Sequence, residues 1–414
     1  MPRSAQPRQP AELRRARLAV FGVFGVCGLV SALWSTSLPA INTRLHLGET
    51  RLGIVLLVTG AGAVAVMPLT GRLCDRLGSR AVLRAGAPLS ALCLIGPALA
   101  PGFPALLATA FLLGAGIGSL DVAMNAQAIA AERQYRRSIM ASFHGLWSIG
   151  AVVGSAAVAA GLRFGAGVPA VMAGGAIAAA LLVMVPGPML LPGGSRAPAA
   201  AGGPEAAGGA GEAAAARSQG AAVRAARQHV VLLLGIVAAA GFICEGAALS
   251  WAPLDAIRQL RAAPPAAALA YTIFAAALTA GRLTGDRLLR RLGSVRAIGW
   301  AAVIAVCGYL LVFLAPSLAG AGLACDYAGW GVTGLGLATV VPVIFSSVGE
   351  REAGVGRALS WVAACAYGGE LAGPSVIGPL AGATSLRIAL LVPTALAVLV
   401  AVLGPVAIRR ASRA

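Results

Sequence analysis

Asp121, Glu245, Asp326 and Glu370 each stand inside an apolar run long enough to cross a bilayer. A charged side chain in hydrocarbon costs roughly 2.5–3.5 kcal/mol on insertion scales and is normally kept only for work. The arginines fall at or beyond the ends of these runs, so the sequence offers no embedded cation to pair with the acids. An acid left alone in an apolar medium answers by taking up a proton. Reversible protonation inside a membrane is the chemistry of proton-coupled transport.

Spacing adds detail. Asp121 and Asn125 are four residues apart and share one helix face, and the same stripe continues to Glu132. His144, in the next run, lies at a similar depth, so helix packing can bring it to Asp121. These groups bind solute or protons, or Asp121 and Asn125 tie neighbouring helices by hydrogen bonds worth under about 2 kcal/mol, with His144 a packed neutral imidazole. Glu245 lies in Cys244-Glu245-Gly246, where Gly246 lets a partner approach. Glu370 follows Tyr367-Gly368-Gly369 and precedes Gly373-Pro374 and Gly378-Pro379, a spacing that suits a helix able to bend. Asp326 is nearer a run end and reaches the interface or water. Trp34, Trp147, Trp251 and Tyr367 either stack on a sugar-like solute or anchor helix ends at the interface. Glu132 with Arg133, Arg136 and Arg137 reads as a helix-end charge cluster.

The elements that must hold these groups are membrane helices. Of 414 residues, 58% are hydrophobic and 11% charged, against about 25% charged in a soluble domain, and mean hydropathy is +0.85. The net charge of +18 comes from arginines scattered in short loops, with no lysine, which excludes a basic nucleic-acid-binding face. Seven cysteines form no CxxC, so neither structural disulfides nor a metal site is expected. No nucleotide-binding P-loop and no nucleophile–base constellation is present, so the chain is not read as an enzyme or an ATP-driven pump, and no cofactor beyond a proton gradient is implied. Arg14, Arg15 and Arg17 precede an apolar run too long for a signal peptide.

Apolar runs of about 20 residues predict twelve spans: 18–40, 52–70, 81–100, 104–130, 139–161 and 167–191, then 229–254, 266–284, 297–315, 319–348, 358–380 and 387–408. The third and fourth spans of each half are joined by short hairpins. With both termini cytoplasmic, 26 of the 32 arginines lie on the inside and 6 on the outside, as the positive-inside rule requires. The expected organisation is a tail over 1–17, a six-helix bundle over 18–191, a flexible Ala-, Gly- and Pro-rich cytoplasmic linker over 192–227, a second bundle over 228–408 and a tail over 409–414. The linker is a plain tether or carries regulation. The halves echo each other: Trp34 with Ala40-Ile41 against Trp251 with Ala256-Ile257, Asp75 against Asp286, and Gly114/Gly116 against Gly334/Gly336. Duplicated halves are a recurring plan of secondary transporters.

The segment Gly71-Arg72-Leu73-Cys74-Asp75-Arg76-Leu77-Gly78-Ser79-Arg80 resembles the signature loop of the major facilitator superfamily, with Ser79 in place of one basic residue. A degenerate second copy runs from Gly281 through Arg282, Asp286 and Arg287 to Arg291 and Gly293. Trp34 to Arg44, Asp121 to Asn125, Ser142 to Gly150, Glu245-Gly246 with Trp251, and Gly281 to Arg287 together resemble a bacterial branch related to fucose permease and to a membrane protein of rhizopine loci. The resemblance covers nearly all the chain outside the linker and termini, and implies the all-α, twelve-helix fold of two pseudo-symmetric six-helix bundles. It also implies that Gly71, Asp75, Arg76, Gly78 and Arg80, with Asp286 and Arg287, latch a cytoplasmic gate. The residues agree, since Asp75 flanked by Arg72, Arg76 and Arg80 is an ion-pair cluster able to bias one conformation. An antiporter motif of drug exporters needs a Gly-Pro element in span five, where Gly150 and Gly154 have no proline.

The expected function is alternating-access transport of a small polar solute across the inner membrane by a monomer, with the halves rocking about a cavity. Asp121, Glu245 or Glu370 would exchange protons, and Asn125 with the aromatics would orient the solute. Two rivals stay open: an exporter of amphipathic or cationic compounds, and a non-transporting membrane sensor or scaffold.

Overall fold

The computed structural model of the chain describes residues 10–192, 210–318, 320–348 and 355–413. Within them all regular structure is helical, as the apolar runs require: with no water available, a backbone in lipid must satisfy its own polar groups. The chain divides into two compact units, Met1–Gly193 and Gly194–Ala414.

The first unit contains α1 (Pro10–Leu45), α2 (Gly48–Leu77), α3 (Ser79–Leu92), α4 (Ile95–Leu99), α5 (Phe103–Tyr135), α6 (Met140–Arg163) and α7 (Val168–Met184), then a 3-10 turn over Gly187–Met189. The second contains α8 (Ala210–Leu260), α9 (Pro264–Leu292), α10 (Ser294–Leu314), a 3-10 turn over Ala315–Ser317, α11 (Gly322–Leu337), α12 (Val340–Val348), α13 (Val355–Ala383), α14 (Leu386–Ala389) and α15 (Leu391–Arg413). Ten helical segments among the described residues are long and apolar enough to cross a membrane. The eighth and eleventh predicted spans fall in α9 and α13, helices of 29 residues each that are not among those ten. Of the expected linker, residues 193–209 lie outside the described residues, and 210–227 continue as the first turns of α8. Residues 1–9 of the N-terminal tail and residue 414 also lie outside them. Large apolar side chains such as Val152, Leu181 and Val402 are more than half exposed, each on a helix that meets that length-and-apolarity test. Apolar exposure spread along such helices suits contact with lipid.

Glycines set the closest helix crossings. A Cβ at Gly114 would strike the Thr59 carbonyl of α2, and one at Gly116 would meet Ser90 of α3. In the second unit Gly334 faces the Phe274 carbonyl of α9 and Gly336 faces Ala301 and Ala305 of α10. The sequence echo is therefore a packing echo: one glycine of each pair seats the helix on the second of its half, the other on the third. Gly150 and Gly154, the glycines lacking the antiporter proline, seat α6 on Gly25 and Leu29 of α1. Gly114→Ala is expected to destabilise the protein by about 1–3 kcal/mol, as overpacking does, and more if the backbones cannot separate; thermal unfolding in detergent reads it.

The signature segment is not a loop, as the sequence reading had it. Gly71 to Leu77 complete the last turns of α2, and one residue, Gly78 at φ 83°, turns the chain into α3 at Ser79. The second copy behaves alike: α9 runs to Leu292 and Gly293, at φ 74°, turns into α10. A positive φ is strained for any side chain but open to glycine, which is why both copies end in one.

Glu132 has a specific structural task. Its Oε1 accepts the backbone N–H groups of Ile139 (2.9 Å) and Met140 (3.2 Å), capping the start of α6. Glu132→Ala should cost about 1 kcal/mol, as lost caps do, and Glu132→Gln, which keeps an acceptor, should cost less; the two melting temperatures check this. Outside the helix interiors, Arg44 satisfies carbonyls at the end of α4, donating to Pro97 (3.2 Å), Ala98 and Ala100 (3.3 Å).

Candidate functional site

In the first unit the helical period places Asp121 and Asn125 on one buried face of α5, at 7% and 0% exposure. Asn125 Nδ2 donates to the main-chain oxygen of Asp121 (2.9 Å) and to its Oδ1 (3.3 Å). Both bonds are within the helix, so the pair ties α5 to itself rather than to a neighbour. Asp121 Oδ2 and Asn125 Oδ1 are buried with no hydrogen-bond partner among the described residues. One carboxylate oxygen and one amide oxygen are thus left for another group. Cys27 of α1 lies close enough to sense the Asp121 charge. His144, 7% exposed on α6, sets its ring edge-on to Phe24 of α1, with centroids 5.3 Å apart. The described contacts therefore put α1, α5 and α6 around this region, with His144 held by an aromatic wall. Trp34 lies elsewhere, 5% exposed in an apolar cluster with Leu33, Ile41, Leu106 and Met172, a packing position.

The second unit corrects the sequence reading at its centre. Glu245 does have a buried cation beside it: Arg282 Nη2 donates to Glu245 Oε1 and Oε2 at 2.8 Å each, with side-chain exposures of 5% for Arg282 and 15% for Glu245. Arg282 had been placed near the end of a span, yet α9 continues ten residues further to Leu292, about 15 Å of helix. Glu245 is therefore a member of a buried ion pair and not a lone acid. Its neighbour Cys244 is fixed on both sides, because Tyr309 Oη of α10 donates to the Cys244 carbonyl (2.6 Å) and Cys244 Sγ donates to the Pro393 carbonyl of α15 (3.2 Å).

Gly246 neighbours Glu370, but a Cβ there would lie 3.7 Å from Glu370 Cγ, an ordinary contact, so the close approach expected of this glycine is not seen. A Cβ at Gly369 would lie 2.7 Å from the Ala239 carbonyl oxygen, so Gly369 serves a close crossing of α13 with α8, while Gly373 meets Ile243 at ordinary contact distance. Glu370 itself is exposed. Trp251 is half-buried over Gly378 and the small cluster of Ala247, Ile377 and Ala389, with its indole nitrogen buried and without a hydrogen-bond partner among the described residues. Tyr367 faces Phe242 at 5.8 Å.

Of the signature residues, Asp75 and Arg76 are exposed on the last turn of α2, while Arg80 donates to the Pro188 carbonyl (2.9 Å) inside its own unit. Gln127, buried on α5, reinforces that corner by donating to Ser79 Oγ (3.0 Å) and the Leu191 carbonyl (2.9 Å) and accepting from Leu191 N–H. On α9, Asp286 is buried one turn beyond Arg282, and Arg287 is exposed. The two copies therefore differ: Arg72 in the first is exposed, whereas Arg282 in the second is drawn inside.

Sequence reasoning missed Arg282 as a site residue, and it missed Asp255, which is 2% exposed on α8. The signal for both was available. Each lies within two residues of a drawn span boundary that the helix overruns.

The chain belongs to the Major Facilitator Superfamily, whose family model matches residues 19–356. It is a multi-pass protein of the bacterial inner membrane, and the relatives and solved structures it matches include transporters of that superfamily. It is 32% identical over 382 residues to an uncharacterized transporter, y4wD, of Sinorhizobium fredii, covering 92% of this chain and 94% of that protein. It is 31% identical over 377 residues to membrane protein MosC of Rhizobium meliloti, covering 90% and 86%. Among solved structures it resembles the proton:xylose symporter XylE, bound to 6-bromo-6-deoxy-D-glucose, with a TM-score of 0.73 at 15% identity over 95% of each chain. FucP in its outward conformation matches with a TM-score of 0.71 at 16% identity, over 94% of this chain and 98% of that one. At these identities the solved structures speak for the fold.

Proposed function

We propose that the protein is a proton-coupled secondary transporter carrying a small polar solute, sugar- or polyol-like, across the inner membrane by alternating access. The observation that carries this reading is the Asp121–Asn125 pair: a carboxylate and an amide buried in an apolar helix, each with an oxygen unspent. Asp121 exchanges the proton and Asn125 orients a hydroxyl-bearing solute, with His144 as the adjoining polar group. The proton:xylose and fucose:proton symporters that share the fold support the solute class. In this reading the chain has twelve spans, with α9 and α13 supplying the eighth and eleventh, and both termini are cytoplasmic, as the arginine asymmetry favours. It acts as a monomer. Asp75, Arg76 and Arg80, with Asp286 and Arg287, hold the cytoplasmic helix ends, while Glu245, Arg282, Glu370 and Trp251 are the polar contribution of the second unit.

Thermal unfolding of the purified protein against sugars, polyols, organic acids and lipophilic cations tests the solute class. A ligand that binds only the folded state stabilises it by about 2.7 kcal/mol at a hundred times its dissociation constant. A sugar or polyol is expected to raise the melting temperature. A rise with lipophilic cations alone would instead mark an exporter in which the acids bind cargo.

A further inference from the structure

The second unit buries two acids that face each other. Asp255 stands near the end of α8 and Asp326 near the start of α11, 2% and 0% exposed, and each carboxyl lies close enough to bear on the other. Asp255 Oδ2 and both oxygens of Asp326 are buried with no donor among the described residues. The walls are apolar. Trp330, on the same face of α11 one turn from Asp326 and 0% exposed, packs edge-on to Phe274 (6.5 Å) and Tyr309 (5.9 Å). Its indole nitrogen is buried, makes no standard hydrogen bond, and bears on the Asp326 carboxyl.

The charged group that bears on the pair is Arg387 of α14, whose charge reaches Asp255. That guanidinium is already engaged, donating from Nε to the Phe313 carbonyl (2.8 Å) and from Nη2 to Ser317 Oγ (2.7 Å), and lying 4.5 Å over the Phe313 ring. The neighbouring tyrosines are directed elsewhere: Tyr309 of α10 to the Cys244 carbonyl and Tyr327 of α11 to the Ala266 carbonyl. Two ionised carboxylates 4 Å apart repel by about 4 kcal/mol even at an effective dielectric constant of 20. A single proton turns that repulsion into a charge-assisted hydrogen bond, the arrangement by which close carboxyl pairs share one proton.

We propose that Asp255 and Asp326 form a proton-binding site of the second unit, holding one proton between them and clasping α8 to α11 while it is bound. Its part in transport rests on the proton-coupled reading above; its protonation does not. Infrared spectroscopy of the full chain in lipid, with no solute, separates the two. The wild type should show a carboxylic C=O stretch at neutral pH that shifts in D2O. Asp255→Asn and Asp326→Asn should each remove it, since the amide N–H replaces the O–H donor and leaves the remaining acid ionised. Asp121→Asn should retain it. A wild-type spectrum without a D2O-sensitive carboxylic band would overturn the proposal with no variant needed. So would a band lost only in Asp121→Asn, or one that survives both pair variants. If the pair band behaves as expected but no solute drives proton flux, the site stands and the transport reading fails.

Discussion

Arg282→Met is expected to destabilise the protein by about 3–5 kcal/mol, the usual result of stripping one partner from a buried ion pair. The loss arises from Glu245, whose carboxylate takes both bonds from one guanidinium nitrogen and sits beside a backbone pinned by Tyr309 and Pro393. Removing the cation leaves a carboxyl group only 15% exposed without its ion-pair partner. The double variant Glu245→Gln/Arg282→Met removes both charges and should recover most of the melting temperature, because well-packed neutral replacements of buried pairs are often neutral or better. Glu245→Gln alone removes one charge of the pair and should fall between. If Arg282→Met unfolds at the wild-type temperature, the ion pair does not hold α8 to α9.

Asp121→Asn is expected to abolish uphill accumulation of solute while leaving folding and solute binding in place. The asparagine keeps the size of the side chain and an oxygen to accept the Asn125 Nδ2 bond, so α5 loses little. What it removes is the carboxylate that takes and releases the proton beside Asn125 in this reading. Accumulation should fall to passive equilibrium, whereas exchange of labelled for unlabelled solute, which needs no net proton movement, should persist. Accumulation equal to wild type would take Asp121 out of the mechanism.

The part of this site legible in the sequence was the part governed by the helical period. Asp121 and Asn125 share a face because four residues make about one turn, and no long-range information is needed to place them together. Gly246 read as a point of close approach from its missing side chain, yet the packing of α13 on α8 puts Glu370 beside it only at ordinary contact distance. What the sequence hid depends on where helices end. Hydropathy marks the edge of the apolar run, not the end of the helix, so α9 overruns its predicted span by eight residues and α8 by six. Arg282 and Asp255 sit at those edges, and each finds its partner on another helix, which no local pattern encodes. The same mismatch explains why the signature segment reads as a loop from its charges yet is helical up to Gly78. Trp34, near a span end, left solute stacking and interfacial anchoring both open, and only its long-range apolar neighbours show the packing cluster it joins.

Proton movement coupled to solute is the central claim, and a pH electrode reads it directly. Purified protein reconstituted into liposomes without a pH gradient would be given a pulse of the sugar or polyol that raised its melting temperature. The expected result is alkalinisation of the outer solution in step with solute entry, abolished by a protonophore and absent with Asp121→Asn. Solute entry at the wild-type rate with no change in external pH would contradict the account, and would make the buried acids of this chain ligands rather than proton carriers.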